Sequence, residues 1–175
     1  MKAVVIYESM YGNTHRIASA IAAGFRRHGE AVVVPVGDAD VALVESADLV
    51  VVGGPTHAHG MSRAGTRKGA AADAEKPDSD LVLETDADGL GLREWFESVG
   101  HAFTNAAAFD TRFDLPAAVS GRASKGIEHK LRHHGARLIC EPESFFVKKG
   151  NHLEPNEEAR ASEWGERLSI TLDGS

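Results

Sequence analysis

Apolar residues along the chain fall into short continuous runs and longer stretches in which they recur every third or fourth position. Val4-Val5-Ile6-Tyr7 is the first continuous run, and its lack of alternation is what a strand covered on both faces requires. Thr14 to His28 has the helical spacing, with Ile17, Ala18, Ile21, Ala22 and Phe25 on one face, and Arg26, Arg27 and His28 before the stop at Gly29. Ala31 to Val36 predicts a second strand, placed at the sheet edge because Pro35 cannot donate to a ladder. Asp40 to Glu45 predicts a short helix, and Ala47 to Gly54 a third buried strand ending in two glycines.

Beyond it, Ser62 suits the cap of a helix running to about Ala72. Leu90 to Val99 is helical, with Trp95, Phe96 and Val99 on one side, and Ala102 to Phe109 predicts a fourth strand. Arg122 to His134 is helical, with Ile127 and Leu131 inward and Gly135 as stop. Ala136 to Cys140 and Ser144 to Val147 read as a fifth strand split by Pro142. The last helix starts near Pro155, with Glu157 and Glu158 in its first turn, and buries Ala161, Trp164 and Leu168. Thr171 to Ser175 reads as a frayed tail.

Strands alternating with helices predict an α/β fold, a doubly wound five-stranded parallel sheet in the order 2-1-3-4-5. A chain of 175 residues with 42% apolar content suits a single domain, here 1–170. One segment interrupts the pattern: Asp73 to Gly89 carries seven acids against one lysine and reads as a solvated excursion, a lid or a docking arm. In the predicted order the chain reverses between strands one and three, so the loops after them flank the ligand crevice. Those loops are Glu8 to His15 and Pro55 to Ser62, with the loop after Phe109 next along the same rim.

Charge narrows the partners. A formal net charge of −7 argues against a nucleic-acid binder, which shows a basic face. The basic residues Arg122, Lys125, Lys130 and Arg132 share one helix, which reads as a solvated face or a docking surface. The single cysteine, Cys140, cannot form an internal disulfide, and no apolar run reaches the roughly 20 residues of a membrane span. The chain opens directly on a strand pattern without a signal sequence, and cytoplasmic residence is the expectation.

The first loop carries the clearest chemistry. Gly12 permits a tight turn, and the helix that follows begins with N–H groups lacking internal partners, a ready anion site. Ser9 and Thr14 add hydroxyls, so Met10 to Thr14 suits a phosphate monoester without any basic side chain. The nucleotide-hydrolysing pattern GxxxxGK[ST] and the dinucleotide pattern GxGxxG are both absent. A phosphoacceptor domain wants clustered carboxylates, yet strand three ends in Gly53-Gly54. His57 and His59 on the second loop fall short of the four ligands of a structural zinc site, and no metal is expected.

Ser-Met-Tyr-Gly-Asn-Thr after strand one, together with Gly-Gly-Pro-Thr-His-Ala-His-Gly-Met-Ser after strand three, resembles the flavodoxins over nearly the whole chain. The resemblance implies a flavodoxin-like three-layer fold, flavin mononucleotide (FMN) as cofactor and electron transfer as activity. It places Ser9, Met10, Tyr11, Gly12, Asn13 and Thr14 at the phosphate and Pro55, Thr56, His57, Ala58, His59 and Gly60 beside the flavin ring. Phe109-Asp110-Thr111-Arg112 falls at the third loop by position, with Phe109, Asp110 and Arg112 as its candidate site residues. Two departures stand out: Tyr11 where flavodoxins commonly have a threonine, and no tryptophan or tyrosine to stack on the ring, leaving that task to His57 or His59 and Phe109. Asp110 and Arg112 read as an ion pair or as charges tuning the flavin. Met10-Tyr11-Gly12 is also similar to the flavodoxin-like quinone reductases. Three readings follow: an electron carrier between redox partner proteins or small acceptors, an FMN-dependent NAD(P)H:quinone-type oxidoreductase, and a binding or regulatory module that has lost the flavin.

Overall fold

The computed structural model describes residues 1–57, 60–85, 87, 89–100, 103–148 and 150–174. The elements in chain order are β1 (Lys2–Tyr7), α1 (Asn13–Phe25), β2 (Glu30–Pro35), α2 (Val41–Glu45), β3 (Leu49–His57), β4 (Gly60–Met61), α3 (Ala64–Ala74) and α4 (Leu92–Ser98). They continue with β5 (Asn105–Phe113), α5 (Ala117–Ser120), α6 (Ala123–His133), β6 (Arg137–Leu138), β7 (Glu143–Lys148), β8 (His152–Leu153) and α7 (Glu157–Asp173). The sheet runs β2-β1-β3-β5-β7-β8, with β4 on β3 and β6 on β5. β6 and β7 both pair in parallel with β5, so they are the two halves of the split fifth strand. The doubly wound order holds, β2 with Pro35 lies at the edge, and β4 and β8 are short antiparallel additions.

Continuous apolar runs are explained by burial on both faces. Val4, Ile6, Val50, Val52, Ala106 and Ala108 pack under Trp95, Phe96, Ile127 and Leu131 of α4 and α6. Their neighbours Val5, Tyr7, Val51, Ala107 and Phe109 pack against Ile17, Ile21, Phe25 and Trp164 of α1 and α7. These two helices touch closely at Gly24 and Gly165, where a methyl group would run into the Ser162 and Ile21 carbonyls respectively. Among the described residues no helix is long and apolar enough to cross a membrane.

Several boundaries move from the sequence expectation. β3 runs past Gly54 to His57 and pairs with β4, so part of the expected second loop is a hairpin, and the cap position of α3 is Arg63 rather than Ser62. β5 starts three residues late and continues to Phe113, because Asp110 and Arg112, polar residues that suggested a loop, stay in register with β7. Helix α7 reaches Asp173, so Thr171 belongs to it rather than to a tail. The acidic excursion is not simply solvated. Its first two residues finish α3, and Leu83 and the buried Ala87 pack with Met10 and Ala70 in a third small apolar cluster.

Candidate functional site

β1 delivers the chain to the first loop at the switch point, and Gly12 makes the turn with φ 90° and ψ −16°. Its carbonyl accepts the first bond of α1, from Arg16 at 3.0 Å. The Ser9 hydroxyl accepts from the Gly12 N–H at 3.1 Å, closing the loop on itself. Asn13 donates its amide to the carbonyl and side chain of Asn151 at 3.0 and 2.9 Å, tying the helix start to the turn between β7 and β8. The Thr14 hydroxyl meets that of Thr111 at 2.8 Å, both side chains being buried. With Thr111 as donor, the proton of Thr14 is free for an anion.

A cavity of about 150 Å³ opens above this loop. Its polar lining is hydroxyl and amide: Ser9, Asn13, Thr14, Thr111 and Asn151. Pro55, Thr56, His57 and Phe113 line it as well. A set of hydroxyls and a helix start, with Arg112 also in the lining, suits a phosphate monoester, and the flat side chains of His57 and Phe113 suit a planar ring. Burial pushes the His57 imidazole below its ordinary pKa, a push partly opposed by the Glu8 carboxylate, so the ring is held neutral.

The acidic excursion closes the rim on one side. The Glu84 N–H donates to the Met10 carbonyl at 2.9 Å, and its carboxylate pairs with His15 Nδ1 at 2.8 Å. The His15 ring in turn stacks on Tyr7, with centroids 4.5 Å apart.

The structure brings together Ser9, Asn13 and Thr14 with Pro55, Thr56 and His57. Met10 and Tyr11 also reach the cavity, yet Met10 is buried toward the excursion and the Tyr11 hydroxyl donates to the Ala70 carbonyl at 2.8 Å. Burial, then Asp73, raises the Tyr11 pKa against the opposing pull of Lys76. Gly60 pairs with His57 across the β3–β4 hairpin and does not line the cavity. Ala58 and His59 lie outside the described residues.

The third-loop assignment is corrected. Phe109 sits in the core against Phe145 and Trp164, because an inward position of β5 at this height faces α1 and α7. Asp110 and Arg112 are not an ion pair. One oxygen of the buried Asp110 accepts from the Ser124 N–H at 2.7 Å and from Thr56 at 3.3 Å, so it caps α6 and steadies the second loop. Arg112 reaches the cavity wall, but Nη1 is bound to the Leu115 carbonyl and the Ser120 hydroxyl at 2.6 and 2.9 Å, and its guanidinium lies over Phe146.

Thr111, within the expected third loop, lines the cavity, and Phe113, Val147 and Asn151 are cavity residues that the sequence reading missed. Gly150-Asn151 is a turn signal that could have marked a hairpin after the fifth strand. Of the basic residues on α6, Lys125 pairs with Glu128 and Glu141, and Arg132 with Glu128. Among the described residues, no group of three or more histidine, cysteine or acidic side chains is placed to hold a metal.

A switch-point cavity beside a helix start defines the class: a doubly wound α/β protein with its ligand crevice at the carboxyl ends of the strands. The flavodoxin family model matches residues 5–107, and the chain belongs to the flavodoxin family. No curated protein matches it in sequence. Among solved structures it is similar to a flavodoxin from the domain Archaea, at 18% identity and TM-score 0.66 over 99% of both chains. It is also similar to oxidised Flavodoxin 1 from Bacillus cereus, at 20% identity and TM-score 0.63, over 99% of this chain and 98% of that one. A flavodiiron protein from Giardia intestinalis matches 99% of this chain with 36% of its own, at 22% identity and TM-score 0.65. These likenesses carry the fold, and family membership supports a flavin-binding role in electron transfer.

Proposed function

We propose that the chain binds FMN in the rim cavity and carries electrons between donors and acceptors in the cytoplasm. The observation that supports this most is the polarity of the cavity. The hydroxyls of Ser9, Thr14 and Thr111 and the amides of Asn13 and Asn151, at the α1 start, line the same cavity as His57 and Phe113. The Ser9 and Thr14 hydroxyls, with the loop N–H groups other than that of Gly12, would hold the phosphate. Asn13, whose side-chain amide is spent on Asn151, would add its backbone N–H. With Thr111 as donor to Thr14, the Thr14 proton would be free to join them. Thr56, His57 and Phe113 would hold the ring and exclude water from it. When bound, the flavin supplies the electron-transfer chemistry, while the protein supplies position and charge. The neutral His57 offers the ring either a stacking face or an N–H donor. Titration of flavin-free protein with FMN and with riboflavin tests the reading. FMN should bind at least about tenfold more tightly, the worth of a few charge-assisted hydrogen bonds. Equal affinities would remove the phosphate from the site.

One observation favours a second reading, an FMN-dependent reductase acting on small molecules such as quinones. An outer cleft of about 750 Å³ shares Tyr11, His57, Phe113 and Asn151 with the inner cavity. Oxidation of NAD(P)H with a quinone as acceptor, at a rate far above that of free FMN, would select this reading over a carrier.

A further inference from the structure

Glu8 stands between the last core residue of β1 and the first loop, and it is buried. Its N–H donates to the Gly53 carbonyl at 3.0 Å, which fixes the end of β1 against β3. One carboxylate oxygen accepts from the Ser62 hydroxyl and the other from the Leu92 N–H, the latter at 2.9 Å. Ser62, itself buried, also accepts from Arg67 Nη1 at 3.3 Å, and Arg67 Nη2 reaches Glu94 at 3.1 Å.

Two features set this carboxylate apart from an ordinary buried ion pair. Its partners belong to separate parts of the rim. Ser62 follows directly on the β3–β4 hairpin, in which Thr56 pairs with Met61 and His57 with Gly60. Glu8 therefore holds the base of the hairpin that carries Thr56 and His57 into the cavity, while its neighbour Ser9 begins the phosphate loop. The second feature is its charge. The Ser62 hydroxyl lies between Glu8 and Arg67, and the ion pair of Arg67 is with Glu94. The carboxylate is thus left to act on His57, whose basicity it raises against the effect of burial. Of the other charged groups at the hairpin, Arg93 of α4 donates to the Met61 and Ser62 carbonyls.

We infer that Glu8 is the positioning residue of the flavin site: it fixes the separation of the phosphate loop and the His57 hairpin and sets a negative charge behind the ring. This rests on the FMN reading for the ligand but not for the geometry, and the tests separate the two.

E8Q keeps the shape and an acceptor for the Leu92 N–H while removing the charge. It should bind FMN within about threefold of the unaltered protein, whereas E8A should lose about tenfold or more, the scale of a lost buried hydrogen bond. In E8Q the His57 imidazole, followed by NMR in flavin-free protein, should titrate at lower pH. The midpoint potential of bound flavin should rise, because a negative charge near the ring penalises its reduced, anionic form. An unmoved His57 titration in E8Q overturns the charge role, and E8A binding FMN as tightly as E8Q overturns the positioning role. Where E8A does not fold, S62A carries the second arm: weakened FMN binding supports positioning and unchanged binding overturns it. If the unaltered protein binds no FMN, that reading falls, while the His57 titration still decides for or against Glu8.

Discussion

Replacing Gly12 by alanine isolates the conformational cost of the first loop. Gly12 has φ 90°, and a Cβ built there meets nothing closer than Glu84 Oε1 at 3.8 Å, an ordinary contact. Steric overlap is therefore absent, and the backbone alone sets the penalty. A left-handed conformation costs an L-residue roughly 1–2 kcal/mol. In a protein of this size each kcal/mol moves the melting temperature by roughly 2–4 °C, so G12A should melt about 2–8 °C lower. Asparagine tolerates left-handed backbone better than alanine, and G12N should recover at least about half of that loss. Thermal unfolding of flavin-free protein followed by circular dichroism measures both. FMN affinity should fall in the same order, since the turn aims the N–H groups of the loop. A G12A protein that melts with the unaltered one, or a G12N no better than G12A, would refute the argument that the loop is held left-handed.

Other outcomes follow from the same contacts. Burial depresses the His57 pKa, so its contribution to stability is complete above the unfolded value of about 6.5 and is lost as pH falls through the lower folded value. Between pH 7.5 and 5.5 the unaltered protein should lose more stability than H57Q in denaturant titrations; equal losses contradict the burial. G165A and G24A force a methyl group into the facing helix and should each cost about 1–3 kcal/mol. G69A, at a helix position with open space around it, should stabilise by up to about 1 kcal/mol, so similar melting of G69A and G165A would contradict the α1–α7 packing. T111V leaves the buried Thr14 hydroxyl without its partner and should cost about 0.5–1.5 kcal/mol. It should also weaken binding of FMN more than of riboflavin, and an equal effect on both would separate Thr111 from the phosphate.

How much of this was legible depended on whether a signal was local. Val4 to Tyr7 and Leu49 to Val52 are buried on both faces, so their continuous apolar runs identified them and their parallel sheet. Gly12 and Pro35 announced a tight turn and an edge because backbone geometry restricts what other residue types can do there. β5 was misjudged where burial is bought by partners far along the chain. Asp110 is tolerated inside the sheet because Ser124 and Thr56 bind it, and neither contact shows in the run around Asp110. That misjudgement moved the rim aromatic from Phe113 to Phe109. Asn151 escaped for the same reason, since Asn13 is distant from it in sequence and meets it only when β7 lies beside β5. The acidic segment looked solvated by composition, yet the few apolar residues Leu83 and Ala87, with the Glu84 backbone, dock it on the first loop.

The proposed function requires that the rim cavity hold FMN by its phosphate. The direct measurement is the visible spectrum of flavin-free protein during titration with FMN, with S9A and T14V alongside. The flavin absorption should shift and saturate at one FMN per chain, with weaker binding in both variants. No spectral change up to high FMN concentration would contradict the proposed function and leave the fold as a module without flavin.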